Sequence, residues 1–178
     1  MSVSRQIRNL ALVGFMGSGK STVGRMVAGR LRFDFVDTDE LIEARAHKSI
    51  GEIFAQDGEP VFREYERTIV AGLAALTRTV MATGGGLVAH PDNLASLKQH
   101  ALVICLWATA ETIWERVRHQ PHRPLLQVPD PTARIRQLLE EREPLYAQAD
   151  IMIRTDDRLL REVVQHVLQE FRCVCPEP

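Results

Sequence analysis

The chain has almost no net charge to spend. Its 178 residues carry 22 Lys and Arg against 23 Asp and Glu, a formal charge of -1 at neutral pH. A balance this close supplies no global field to draw in nucleic acid or an anionic membrane surface. An anionic ligand must therefore be met by arginines placed locally. Long hydrophobic runs are also missing. The longest apolar stretch, Ala101–Ala110, falls far short of the roughly 20 residues that a membrane-spanning helix needs, and its β-branched and aromatic content reads as a buried strand. Met1–Asn9 is polar, carries Arg5 and Arg8, and lacks the apolar segment of a signal peptide. These absences lead to the expectation of a cytoplasmic protein that binds neither membrane nor nucleic acid.

Cysteine is scarce. Cys105, Cys173 and Cys175 are an odd number, which argues against a disulfide framework. Cys105 lies inside the apolar run and reads as core. The C-x-C near the end has no partner pair at zinc-type spacing and reads as a loosely held tail with free thiols. The six histidines, His47, His90, His100, His119, His122 and His166, form no metal or catalytic motif. The sequence has no internal repeat and no low-complexity segment.

What is present is an alternation of two patterns. Apolar runs of strand length occur at Leu10–Gly14, Phe35–Asp37, Thr79–Thr83, Ala101–Trp107 and Asp150–Arg154. Between them lie amphipathic stretches with helical spacing: Lys20–Leu31, Thr38–Gln56 with a break near Lys48–Gly51, Pro60–Leu76, Pro91–Gln99, Ala110–Arg118, Pro131–Tyr146 and Arg158–Phe171. His119–Asp130, rich in Pro, His and Gln, reads as a mobile loop. Strands alternating with helices imply parallel pairing through right-handed crossovers. The expected fold is a single α/β domain, a three-layer α/β/α sandwich around a five-stranded parallel sheet. Ligands of such sheets bind beyond the carboxyl ends of the strands, and the informative residues fall there.

Gly14-Phe15-Met16-Gly17-Ser18-Gly19-Lys20-Ser21 fits G-x-x-x-x-G-K-[ST] in full, between an apolar strand and an amphipathic helix. Such a loop cradles phosphates with backbone N–H groups, and the helix that follows offers its positive end to the same anion. In this P-loop, Lys20 can reach the β- and γ-phosphates and the Ser21 hydroxyl can ligate magnesium. The motif indicates ATP or GTP and phosphoryl chemistry. The small size, without a second domain, points to a kinase of small metabolites, but the loop says nothing of the acceptor.

Other clusters are each open to two readings. Asp37-Thr38-Asp39 could hold magnesium and orient a hydroxyl, or could cap the next helix. Arg63 and Glu66, three apart on a helix, could form a site pair or an ordinary surface pair. Gly84-Gly85-Gly86 suits close approach of backbone to a ligand, or a tight turn. Arg123, in the loop, could close over a transferring phosphoryl group. Arg142 could clamp a carboxylate with both arms of its guanidinium.

Taken together and in order, the P-loop, Asp37-Thr38-Asp39, Phe62-Arg63, Gly84-Gly85-Gly86, Arg123-Pro124-Leu125-Leu126 and Arg142-x-Pro144-Leu145-Tyr146 resemble the shikimate kinase family, as does Ser49–Phe54. The resemblance runs from about Leu10 to Phe171. It implies a nucleoside-monophosphate-kinase-like fold with a substrate-binding region at about 37–66 and a lid at about 118–130. The implied reaction moves the γ-phosphoryl group of ATP to the 3-hydroxyl of shikimate, with Mg2+, within chorismate and aromatic amino-acid biosynthesis. By the same resemblance Gly17, Ser18, Gly19, Lys20, Ser21 and Thr22 hold the nucleotide, and Ser21 and Asp37 the metal. Lys20, Asp39 and Arg123 do the chemistry. Asp39, Arg63 and Arg142 grip the substrate, with Gly84, Gly85 and Gly86 as a backbone floor, Phe54 and Phe62 as aromatic walls and Glu66 orienting Arg63. Arg116 and Arg158 border the adenine. Two departures stand out: Leu160 replaces a proline that many members carry beside the adenine, and His119-Gln120-Pro121-His122 is unusual for a lid. A monomer is expected. The rival readings are another small-molecule P-loop kinase, such as a gluconate kinase, and a non-catalytic nucleotide-binding module.

Overall fold

The computed structural model describes residues 5–119, 126 and 128–175. Five strands, β1 (Asn9–Val13), β2 (Asp34–Asp37), β3 (Thr79–Ala82), β4 (Ala101–Trp107) and β5 (Ile151–Arg154), form one sheet in the order β2-β3-β1-β4-β5. Every pairing is parallel. The helices are α1 (Lys20–Leu31), α2 (Thr38–Ala46), α3 (Ile50–Glu52), α4 (Glu59–Leu73), α5 (Pro91–His100), α6 (Ala110–Val117), α7 (Pro131–Tyr146) and α8 (Leu160–Val174).

Strand periodicity divides the core in two. Leu10, Leu12, Val80, Leu102, Ile104 and Leu106 turn to one face and pack on α1 and α8. Ala11, Val13, Met81, Val103 and Cys105 turn to the other and pack on α4 to α7. Successive side chains of a strand point to opposite faces, so central strands apolar at every position need helices on both sides. The three-layer α/β/α arrangement follows, as expected.

Boundaries differ from the pattern in informative places. The long helix expected over Thr38–Gln56 is three pieces. His47 turns left-handed (φ 52°) and ends α2. Ser49 and Glu52 then form a reciprocal capping box that starts α3. The chain next widens into one π-helical turn, Ile53–Asp57, closed by the Gly58 N–H on the Ile53 carbonyl at 2.9 Å. A small satellite core of Ile42, Ile53 and Phe62 holds this region against α4. α8 begins at Leu160, so Arg158 precedes it, and it runs through Cys173 to Val174. The expected loose tail is therefore helical as far as Val174. Cys175 is tied back by its Sγ, 3.5 Å from the Ile7 carbonyl. Among the described residues no helix is long and apolar enough to cross a membrane.

Candidate active site

A cleft of about 1220 Å³ opens at the carboxyl ends of β1, β2 and β3. Gly17, Ser18, Gly19, Lys20, Ser21 and Thr22 line one end. The P-loop is wound so tightly that its glycines are not negotiable. Gly14 sits at φ +138°, and a β-carbon there would lie 2.3 Å from the Leu106 carbonyl oxygen. Lys20 is buried and its Nζ donates to the Phe15 carbonyl at 2.9 Å, which folds the side chain back along the loop.

Asp37 caps α2, one of the two readings left open for it, and also reaches the phosphate loop. Its Oδ1 accepts from the Asp39 N–H at 3.1 Å and so caps α2, while its Oδ2 accepts from the Ser21 hydroxyl at 2.6 Å. The two hard oxygens stand side by side at the phosphate loop. That donor set suits Mg2+, which binds few protein carboxylates and takes its other ligands from water and phosphate.

The other end of the cleft is built on the triple glycine. The Gly84 N–H donates to the Thr38 hydroxyl at 2.8 Å, locking the loop to the start of α2. A β-carbon on Gly84 would meet the Asp39 carboxylate at 2.6 Å, and one on Gly86 would meet the Arg63 guanidinium at 2.9 Å. Both functional side chains thus lie directly over bare backbone. Arg142 reaches the same place from α7, its Nη1 donating to the Gly85 carbonyl at 3.2 Å. Phe54 and Phe62 stack at 4.8 Å between centroids and wall the side. Phe62 is buried, and Phe54, on the π-helical turn, is 40% exposed.

Arg63 is held from two directions. Its Nε and Nη2 donate to Glu59 Oε1 at 3.2 and 2.8 Å, and its Nη1 donates to Glu66 Oε2 at 3.0 Å. Among the described residues one N–H on each terminal nitrogen is not engaged, and both terminal nitrogens lie beside Gly86. Burial works against the Arg63 charge, but the two carboxylates outweigh it and hold the guanidinium above its ordinary pKa. Glu66 is 1% exposed, and burial pushes its carboxyl up despite the attraction of Arg63. Its Oε1 has no hydrogen-bond partner among the described residues. The pair is a built one, not a surface ornament.

At the P-loop end of the cleft Arg116 donates to the Thr155 hydroxyl and carbonyl, both at 3.0 Å. Arg158 lines the cleft beside Leu160 and approaches His166 Nδ1 at 3.1 Å. The structure therefore gathers every predicted site residue that it describes. Arg123 lies outside the described residues. Sequence reasoning missed four members: Glu59, Thr38, Tyr146 and Thr155. Glu59 had a signal, since it stands four residues before Arg63 on the same helical face. Tyr146, whose hydroxyl donates to the Gly85 carbonyl at 2.7 Å, had only its place in a motif. Thr38 likewise had only its place in Asp37-Thr38-Asp39, and Thr155 had no signal.

The comparisons with known proteins point one way. The family model described as shikimate kinase matches residues 16–172. A shikimate kinase from Caldanaerobacter subterraneus subsp. tengcongensis is 44% identical over 165 residues, covering 93% of this chain and 96% of its own. The solved structure of a shikimate kinase from Acinetobacter baumannii in complex with shikimate superposes with a TM-score of 0.90 at 36% identity, covering 97% of each chain. A gluconokinase from Sinorhizobium meliloti reaches a TM-score of 0.61 at 17% identity, a likeness of fold alone. A match that takes in the P-loop from Met16, the acidic pair, the glycine floor, Arg63 and Arg142 leaves one conclusion: the chain belongs to the shikimate kinase family.

Proposed function

We infer that the chain transfers the γ-phosphoryl group of ATP to the 3-hydroxyl of shikimate, giving shikimate 3-phosphate and ADP. The observation that carries this reading is the convergence of Arg63, Arg142 and Asp39 on the glycine floor, in the same cleft as the P-loop. A small ring bearing one carboxylate and several hydroxyls needs two guanidinium groups for the former and a carboxylate for the latter. A gluconate kinase would not need both arginines about a ring carboxylate.

Phosphoryl transfer passes through a loose, charge-rich transition state, so the protein's work is positioning and neutralisation. Arg63 presents its two remaining N–H groups as a fork, and Arg142 offers a second guanidinium from the opposite helix. Asp39 sits over Gly84, where it orients the attacking hydroxyl and can accept its proton. Lys20 and the P-loop N–H groups hold the phosphates. Ser21 and Asp37 would hold Mg2+, which supplies further neutralisation of the phosphate oxygens when bound. Arg123, Arg116 and Arg158 complete the nucleotide end in this proposal, with residues 118–130 as lid and 37–66 as substrate-binding region. The monomeric state and cytoplasmic location belong to the same proposal. They rest on the family and on a cleft assembled from one chain.

The test is ADP release measured in parallel with shikimate, gluconate and nucleoside monophosphates as acceptors. Turnover with shikimate alone is expected. Turnover with gluconate but not shikimate would sink the reading, and ATP binding without turnover on any acceptor would favour a regulatory module.

A further inference from the structure

Tyr146 closes the motif that contains Arg142, yet no step above uses it. It is fully buried, with its ring edge-on to Trp107 at 6.2 Å and 74°. Its hydroxyl donates to the Gly85 carbonyl at 2.7 Å, the same oxygen that Arg142 reaches at 3.2 Å. A carbonyl and the N–H of the next residue share one planar peptide and point in opposite directions. Turning the Gly85 carbonyl onto α7 therefore turns the Gly86 N–H away from it. Among the described residues neither the Gly85 nor the Gly86 N–H donates to a protein acceptor, and both glycines line the cleft. A peptide flanked by glycines has little intrinsic preference for one orientation, so something must impose it.

We propose that Tyr146 is a positioning residue for the acceptor: its hydroxyl fixes the Gly85–Gly86 peptide so that the Gly86 N–H stays available as a donor to shikimate. Arg142 cannot do this alone, because the substrate carboxylate competes for its guanidinium when it binds. Tyr146 does not line the cleft, so a ligand bound there does not compete for its hydroxyl. Burial pushes its phenol up to about 12, so the O–H is retained as a donor well above neutral pH. The ring has only two torsions and is fully buried, edge-on to Trp107, which makes it a stiffer anchor than the arginine. Gly85 also abuts the P-loop, since a β-carbon on it would stand 3.0 Å from the Met16 nitrogen. A peptide flip there is thus felt at the seam between the two halves of the site.

The inference rests on shikimate being the acceptor, so turnover of shikimate by the unaltered chain is measured first; its absence is a failure of that reading and not of this one. Given that turnover, Tyr146→Phe keeps the ring and its packing and removes only the hydroxyl. A rise of about five- to tenfold in KM for shikimate is expected, with kcat and KM for ATP within about twofold, as for loss of one oriented hydrogen bond. An unchanged KM for shikimate, or an equal loss toward both substrates, overturns the proposal, because a purely structural tyrosine would not discriminate between them. Should the variant not fold, 3-fluorotyrosine can be placed in the full chain, whose two tyrosines are Tyr65 and Tyr146. The Tyr146 fluorine resonance, assigned with Tyr65→Phe, should then shift on saturation with shikimate. A resonance that stays put overturns the proposal equally.

Discussion

At the scale of single residues, Glu66 makes the sharpest prediction. It is a buried carboxylate kept for the sake of an arginine it orients, and the cost of burying its charge shows as a raised pKa. Glu66→Gln preserves the shape and an acceptor oxygen but removes the charge. Hydrogen bonds to charged groups contribute about 1.5–3 kcal/mol, and Glu59 still holds the other edge of Arg63. A rise in KM for shikimate of about tenfold is therefore expected, with KM for ATP unchanged within about twofold. Steady-state kinetics with each substrate varied in turn will show it; an equal effect on both would mean that Glu66 supports the whole cleft and not Arg63. The acidic, basic and glycine clusters of the site were each open to a structural reading when taken singly, and became legible only together and in order. Glu59 and Thr38 were harder still: spacing offers Glu59 as a partner of Arg63, but nothing local separates a carboxylate or hydroxyl that serves the site from one that serves the surface. That difference is made by what lies opposite, Arg63 in one case and the Gly84 N–H in the other.

At the scale of elements, Asp37 joins the end of β2 to the start of α2 and to the P-loop at once. Its two oxygens allow its two duties to be separated. Asn caps a helix as well as Asp does, so Asp37→Asn should keep the thermal midpoint within about 2 °C. It loses the charge that suits Mg2+, and kcat/KM for MgATP should fall by about 100-fold. Asp37→Ala should lose the cap as well, at about 1 kcal/mol, readable in the denaturant midpoint. Equal destabilisation by both variants would show that charge, not capping, holds α2. The strands and the long helices were legible here to within a few residues, because a continuous apolar run or an amphipathic stripe leaves little choice. The stretch between Ala46 and Glu59 was not. A break near Lys48–Gly51 was visible, but the π-helical turn at Ile53–Asp57 is set by the packing of Ile53 against Ile42 and Phe62, a tertiary demand that overrides helical propensity.

At the scale of the whole molecule, the topology follows from the alternation of elements, while the order β2-β3-β1-β4-β5 comes from long-range pairing that no local pattern states. What pins that order at the end away from the cleft is a buried polar seam. Asn9, the first residue of β1, accepts from the Thr79 N–H through Oδ1 at 3.1 Å. Its Nδ2 must then donate, to the Leu76 carbonyl at 2.7 Å and to His100 Nδ1 at 3.1 Å. One amide so joins β1 to the start of β3 and the end of α5, and it dictates the neutral histidine tautomer with its proton on Nε2. A second proton on Nδ1 would face the amide N–H. Burial, and then the charge of Arg8, hold the His100 pKa below its ordinary value. The folded state therefore binds fewer protons here than the unfolded state does below about pH 6.5. Stability supplied by the seam is whole above that pH and is lost as the pH falls toward the folded-state pKa, by at most about 1.4 kcal/mol per pH unit. Glu66 acts in the opposite sense, losing stability as pH rises, so the seam must be read by difference. His100→Gln keeps an acceptor for Asn9 but cannot titrate. It should be less stable than the native chain at pH 7.5, from lost ring packing, and the gap in denaturant midpoint should narrow steadily toward pH 5. Glu66 is common to both chains and cancels. A gap that stays constant from pH 7.5 to pH 5 would mean that His100 accepts its second proton without disturbing Asn9, and that the sheet order is held by its hydrophobic faces alone.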